Sequence, residues 1–362
     1  VRDSYSSTFA AMLKAAVGRA LTEFNGVGRP LRGPLEGFRD VIMTDSTVIR
    51  LHDLLARQFP ACRTNHTKAA LKAHTILSVA GTGKTSIKVT GERAHDGPVF
   101  CVGRWVKDHL LLFDLGYYRY QLFACITRNG GYFLTRLKAN ANPTITALNR
   151  VHRGRAVPVV GEKLRDVADR LQREVLDVEV DVRFQRRVYG GRARYDVQSL
   201  RVVGIRDERT GKHHFYITNL PVEKLAAEDI RATYALRWQI ELLFKELKHN
   251  YRIDQMPSGK RHVVEALLYA AILTLIVSRR LLALVRRALA DQADRIPEQR
   301  WAALLESIST ELLLIVTRPP RELKSLLQRV SATLLHEAVD PNANRPGLLA
   351  AVESRSHAYR AR

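Results

Sequence analysis

Residues 234–248 read YALRWQIELLFKELK. At about 100° per residue, Leu236, Ile240, Leu243 and Leu247 gather into one apolar stripe that a helix can bury. Tyr234, Arg237, Glu241 and Lys248 share a separate arc about 60° wide. The spacing predicts one helix that docks by its stripe and presents a phenol, a guanidinium, a carboxylate and an ammonium in line. A solvated face of mixed charge, with the tyrosine packed, fits the same spacing, so spacing alone leaves both readings open.

Far upstream, two apolar runs each end on an aspartate. Residues 40–44 (DVIMT) lead into Asp45, and residues 109–113 (HLLLF) lead into Asp114. An ionised carboxylate is costly inside a core, so at a strand end it faces solvent, a cation or a partner. Ending a strand or capping a helix is the plainer role for either residue, and Ser46-Thr47 after Asp45 suits a cap. Carboxylates converging from rigid elements are also what phosphodiester chemistry needs. Two Mg²⁺ ions clamp the attacking and leaving oxygens, and Mg²⁺ prefers carboxylate oxygen. Asp53, Asp96 and Asp108 read as surface residues.

Around these runs the chain divides by texture. Residues 5–24 predict a helix and 25–38 a Gly/Pro-rich connection, making 1–38 an N-terminal helical segment. Residues 39–149 hold five strands, at 40–44, 71–79, 86–90, 109–113 and 131–138. Residues 150–219 carry a helix-compatible piece (162–173) and three β-rich runs, VEVDVRFQRRVY, RYDVQSLRVVGI and HHFYITNL. Helical texture returns over 220–290, which includes the Glu241 helix, and continues over 291–362, broken near Pro257, Pro297, Pro319-Pro320 and Pro341. The fold class is mixed α/β: a core in two parts, a β-rich insertion and a helical C-terminal region.

Composition narrows the partner. The 362 residues carry 58 Lys and Arg against 36 Asp and Glu, a net charge of +22. Such a surplus attracts polyanions, nucleic acid above all, without fixing a reaction. Cys62, Cys101 and Cys125 form no C-x-x-C pair and read as buried thiols of a reducing cytoplasm. The most apolar stretch, Ala266 to Val277, is shorter than the roughly 20 residues a bilayer span needs, so it reads as a core helix and no membrane partner is expected. The sequence begins at Val1, which suits a fragment or an alternative start codon. AGTGKTS at 80–86 resembles a phosphate-binding loop, but Ser78 stands where that pattern needs glycine, and a turn between two strands accounts for it. The twelve histidines show no zinc spacing. Arg183, Arg186, Arg187, Arg192 and Arg194 suit a phosphate backbone or a solvated face. Tyr189, Phe215 and Tyr216 suit an unpaired base or core packing, and Arg279, Arg280, Arg286 and Arg287 suit DNA or solvent.

Tyr-x2-Arg-x3-Glu-x6-Lys, met at Tyr234, Arg237, Glu241 and Lys248, resembles the signature of bacterial insertion-sequence transposases of the insertion sequence 4 family. TDST around Asp45 and FDLGYY around Asp114 resemble that family's first and second aspartate motifs. The likeness covers about residues 38–290. It implies a ribonuclease-H-like core with Asp45, Asp114 and Glu241 as catalytic residues and ligands of two Mg²⁺ ions, Mn²⁺ substituting. It further implies cleavage of double-stranded DNA at element ends, strand transfer into target DNA and a homodimer bridging two ends. Tyr234, Arg237 and Lys248 would contact end DNA, in the cytoplasm of a bacterium or archaeon, at the nucleoid. Members usually carry a longer N-terminal domain than the 44 residues before Asp45, and Leu115 replaces the basic or small residue usual after the second aspartate. One rival is a domesticated DNA-binding protein that no longer cuts, although all three carboxylates remain. The other is a phosphate-loop ATPase.

Overall fold

A computed structural model describes residues 2–24, 30–64, 67–81, 83–150, 158–186, 194–254, 256–319, 321, 323–343 and 347–355. The strands are β1 (Asp40–Leu51), β2 (Pro60–Thr64), β3 (Thr67–Ser78), β4 (Ser86–Gly91), β5 (His109–Phe113), β6 (Tyr132–Arg136), β7 (Thr144–Leu148), β8 (Val175–Gln185), β9 (Tyr195–Arg206) and β10 (His213–Thr218). The helices are α1 (Arg2–Phe24), α2 (Asp96–Val99), α3 (Tyr120–Arg128), α4 (Leu164–Arg170), α5 (Ala227–Ala235), α6 (Trp238–His249), α7 (Arg261–Ala288), α8 (Glu298–Ser307), α9 (Ser309–Thr317), α10 (Leu323–Glu337) and α11 (Leu348–Glu353).

All ten strands belong to one sheet, in the order β2-β3-β1-β5-β6-β10-β9-β8-β7, with β4 also paired to β3. At its centre β1, β5 and β6 run parallel, with Thr44 beside Phe113 and Leu112 beside Leu134. Parallel strands need crossovers, and α3 supplies the one from β5 to β6. Such strands are buried on both faces, which explains why HLLLF is apolar throughout. One face carries Val41, Met43, Leu110, Leu112 and Leu134 and packs under α5, α6 and α7. The other carries Ile42, Leu111, Phe113 and Phe133 against Phe123 of α3 and Leu164 and Val167 of α4. Beyond the sheet, the end of α7 joins α8 and α10 around fully buried Trp301.

Several expectations needed revision. β1 does not stop at Asp45 but runs on to Leu51, paired antiparallel with β3. β2 and β7 were not foreseen: each is a five-residue strand. β10 pairs with β6, so the three runs of the 150–219 block continue the central sheet. Where that block meets the helices, Arg201 of β9 is buried and grips Asp177 of β8 through Nε (2.8 Å) and Nη2 (2.6 Å), while Nη1 donates to the Leu225 carbonyl (2.8 Å). α7, of 28 residues, is long and apolar enough to cross a membrane by composition, yet 44% of its most apolar window is buried in the fold. Cys62 and Cys101 are exposed rather than buried, and Asp96 is no free surface group: it pairs with His74 (3.1 Å) and Lys72 (3.7 Å).

The loop that resembles a phosphate cradle lies at the far end of β1 from Asp45, about 16 Å away at 3.3 Å per residue. Its anion comes from within. The buried carboxylate of Asp40 accepts from the amides of Ala80 (2.9 Å) and Gly83 (2.7 Å) and from the Ser78 hydroxyl. Any larger residue at Gly83 would displace its neighbours, because a Cβ would sit 2.4 Å from Ile42 Cδ1 and 3.1 Å from Asp40 Oδ2.

Candidate active site

The three parallel strands carry polar residues at matching places: Asp45 within β1, Asp114 just past the end of β5 and Arg136 at the end of β6. Thr44 lies beside Phe113, so Asp45 and Asp114 are the next residues on adjacent strands. Leu112 lies beside Leu134, so Arg136 occupies the matching place on β6. Side chains alternate along a strand, and all three follow the pleat of Met43, Leu112 and Leu134, toward α5 and α6. Arg136 drew no attention in the sequence, because its position counts only once β5 and β6 are known to be neighbours.

The helix read from residues 234–248 is in fact two. α5 ends at Ala235 and α6 begins at Trp238, with Leu236 and Arg237 in a tight turn whose amides reach back three residues, to Thr233 (3.1 Å) and Tyr234 (3.1 Å). Tyr234 therefore belongs to the end of α5 rather than to the Glu241 helix, and the Arg237 guanidinium lies against its ring. The tyrosine is buried against Tyr216, with ring centroids 5.4 Å apart. The apolar stripe is buried as read: Leu236, Ile240, Leu243 and Leu247 all lie in the core.

Arg237 joins the strand ends to the helix. Only 9% exposed, its guanidinium contacts Glu241 Oε1 through Nη2 (2.6 Å) and lies 3.7 Å from Asp45 Oδ2 through Nη1. Its plane also lies over the rings of Tyr234 and Trp238 at 5.8 Å. Burial alone would weaken its hold on the proton, but Tyr234, Glu241 and Asp114 more than reverse that. Asp45 is pushed up to about 6, first by burial and further by Asp114 and Glu241; the Ser46 amide and Arg237 act against the shift. Asp114 is exposed, and its carboxylate has no hydrogen bond or ion pair among the described residues. Lys248 lies seven residues beyond Glu241 on α6, half-buried, with no ion pair among the described residues. Tyr234 Oη and Arg237 Nε are buried without a well-formed hydrogen bond, a costly state for polar atoms.

Asp45, Asp114 and Glu241 offer carboxylate oxygens, the donors a hard divalent cation prefers, and Asp114 and Glu241 both raise the proton affinity of Asp45, a repulsion that a cation would relieve. Among the described residues no three acidic, histidine or cysteine side chains close into a metal cluster. The cation between Asp45 and Glu241 is the guanidinium of Arg237.

Other candidates resolve as packing or surface. Tyr216 is core, and Phe215 packs on Gly204 of the neighbouring strand. Tyr189, Arg187 and Arg192 lie outside the described residues. Arg183 covers the Tyr195 ring at 4.5 Å, and Arg186 pairs with Asp196. Arg279 and Arg286 pair with Glu246 and Glu298, and Arg280 lies 3.8 Å from Glu23, so these three serve helix packing.

Residues 36–277 match the family described as transposase DDE domain, a span that includes Asp45, Asp114 and Glu241, and the chain belongs to that family. Its similarity to individual members is low but extended. It is 22% identical over 288 residues to the transposase of insertion sequence element IS231F from Bacillus thuringiensis subsp. israelensis, covering 67% of this chain and 56% of the relative. It is 19% identical over 338 residues to the IS231B transposase of Bacillus thuringiensis subsp. berliner, covering 82% and 68%. A shorter stretch of 73 residues is 34% identical to a putative transposase of element IS186A from Escherichia coli, covering 20% of each chain. The chain thus spans little more than half the length of the first of these relatives. Among solved structures, a piggyBac transposase in a synaptic complex with hairpin DNA aligns over 83% of this chain and 59% of its own, at 9% identity and a TM-score of 0.38.

Proposed function

We propose that this chain is a transposase of the insertion sequence 4 type, which cuts double-stranded DNA at the ends of its element and joins those ends to target DNA. Its core is read as ribonuclease-H-like: three antiparallel strands (β4, β3, β1) followed by two parallel ones (β5, β6), with one carboxylate in the middle of β1 and one at the carboxyl end of β5. The observation that carries the reading is the register of Asp45 with Asp114 on one pleat, facing a helix whose Glu241 reaches the same guanidinium as Asp45.

In this reading Asp45, Asp114 and Glu241 hold two Mg²⁺ ions, or Mn²⁺ in their place, and the bound metal supplies Lewis-acid activation of the nucleophile and relief of charge on the leaving oxygen. Water attacks the scissile phosphorus, the bond to the 3′-oxygen breaks, and the products are a 3′-hydroxyl and a 5′-phosphate. The 3′-hydroxyl then attacks a target phosphodiester in the same way, displacing the target's own 3′-oxygen. In this reading Arg237, Tyr234 and Lys248 hold the end phosphates; Arg237 Nε and Tyr234 Oη keep unused hydrogen-bonding capacity but are enclosed while Arg237 faces Glu241. Arg136 adds a cation beside Asp114. The net charge of +22 supplies general attraction to DNA. A homodimer bridging two ends and a place in the bacterial or archaeal cytoplasm, at the nucleoid, complete the reading, with residues 39–149 and 220–290 as the two parts of the core.

The test is a nicking assay on a duplex carrying the element's own terminal repeat. Mg²⁺ and Mn²⁺ should support cleavage, Ca²⁺ binding without chemistry, and Asp45→Ala, Asp114→Ala and Glu241→Gln should each abolish cutting while DNA binding persists. Cutting that survives EDTA refutes the reading. A domesticated binder would bind the repeat and cut under no metal.

A further inference from the structure

The guanidinium of Arg237 takes the place of a cation in the carboxylate cluster. It is buried, it contacts Glu241 at 2.6 Å and approaches Asp45 to 3.7 Å, and its Nε is left without a partner. An arginine cannot give up its charge to make room for a metal. Two cations in one small cluster repel, so a divalent ion and this guanidinium compete for the same oxygens. The side chain has somewhere to go, because its planar fork matches a phosphate as well as it matches a carboxylate.

We infer that Arg237 couples metal binding to DNA binding: in the free protein it occupies the metal's position between Asp45 and Glu241, and an incoming DNA phosphate draws it off and opens that position. The inference rests on the reading of Asp45, Asp114 and Glu241 as metal ligands. It deepens that reading by giving Arg237 two alternate partners rather than one. The physical content is a coupling free energy, and coupling is reciprocal: DNA must tighten metal binding by the same factor as metal tightens DNA binding. The consequence for the element is order. Metal loads efficiently only after DNA is seated, so the free protein is a poor nuclease toward passing DNA.

The test measures Mn²⁺ binding by the full chain, from the electron paramagnetic resonance signal of free Mn²⁺, with and without a precut duplex that bears the terminal repeat and a free 3′-hydroxyl. For the unaltered protein, this DNA should raise Mn²⁺ affinity at least tenfold, and saturating Mn²⁺ should raise affinity for the same DNA by a matching factor. Arg237→Gln should bind Mn²⁺ without DNA about as tightly as the unaltered protein does with DNA, and DNA should add less than twofold. Equal Mn²⁺ affinity with and without DNA in the unaltered protein overturns the inference, as does Arg237→Gln binding Mn²⁺ no more tightly. The reciprocal measurement needs no variant, so a misfolded Arg237→Gln does not remove the test. Asp45→Asn separates the two levels. If it binds Mn²⁺ like the unaltered protein, the ligand assignment has failed, whereas loss of Mn²⁺ binding with no coupling in the unaltered protein sinks only the role of Arg237.

Discussion

Arg237 and Glu241, one helical turn apart, share a 2.6 Å charge-assisted contact, although the proposed function gives the first to a DNA phosphate and the second to a metal ion. The two should fail in different assays. Arg237→Ala and Lys248→Ala should weaken DNA binding and lower the slope of log K against log salt by about 0.9 each, the contribution of one neutralised phosphate. Glu241→Gln should leave that slope nearly unchanged and remove cleavage. Fluorescence anisotropy across a salt series, beside a nicking assay, reads both. If every variant loses activity only in proportion to lost folded protein, the face is structural.

The raised proton affinity of Asp45 has a thermodynamic counterpart. A carboxyl whose folded pKa lies above its unfolded value of 3.8 contributes stability below pH 3.8, and that contribution is lost as pH rises through about 6. In metal-free buffer at neutral pH, Asp45→Asn should therefore stabilise the fold, by on the order of 2–3 kcal/mol at most. The gain should vanish near pH 4. Thermal unfolding in EDTA at a series of pH values checks both sign and window. A neutral-pH loss for Asp45→Asn would show that the Arg237 contact outweighs burial.

Breaking the buried pair at the junction of β8 and β9 should be expensive. Arg201→Ala strands the Asp177 carboxylate, 3% exposed, with the Asn149 amide (3.1 Å) still beside it, and should cost about 3–5 kcal/mol. Replacing both residues by apolar ones of similar volume should restore part of the loss. Denaturant unfolding of single and double variants gives the coupling directly, and an additive result contradicts the pairing.

Asp40 provides a test of the loop at 80–86. Asp40→Ala leaves the Ala80 amide without its acceptor and the Gly83 amide with only the longer contact to Ser78 Oγ (3.3 Å), at about 1–3 kcal/mol for a donor left buried. ATP should neither bind the unaltered protein nor rescue the variant, because a carboxylate already fills the position a phosphate would take. Saturable ATP binding by calorimetry would reinstate the phosphate-loop reading.

The sequence carried the strand cores well, because an apolar run such as HLLLF bounded by polar residues has few alternatives. It also placed Asp114 at a strand end and the buried stripe of the Glu241 helix correctly. Other features were hidden for definite reasons. β1 continues past Asp45 because β3 pairs with it, and a pairing of distant residues leaves no local mark. The turn at Leu236–Arg237 is not encoded by glycine or proline, so a uniform 100° count over residues 234–248 ran through a break between two helices. Arg136 became visible only through the register of β6 with β5. The attachment of the 150–219 block to the central sheet was likewise silent, since β10 reads like any other strand until its partner is known.

That attachment sets the order in which the protein can come into being. Tyr216 meets Arg136 across eighty residues of chain, and Glu241 joins the carboxylates only later still. Contacts so distant in sequence form slowly, because a long loop must close before any of them is rewarded. On the proposed assignment, a ribosome that has made β1, β5 and both aspartates has made two members of the triad and not the third. A messenger broken before the codon for residue 241 would then specify no complete triad.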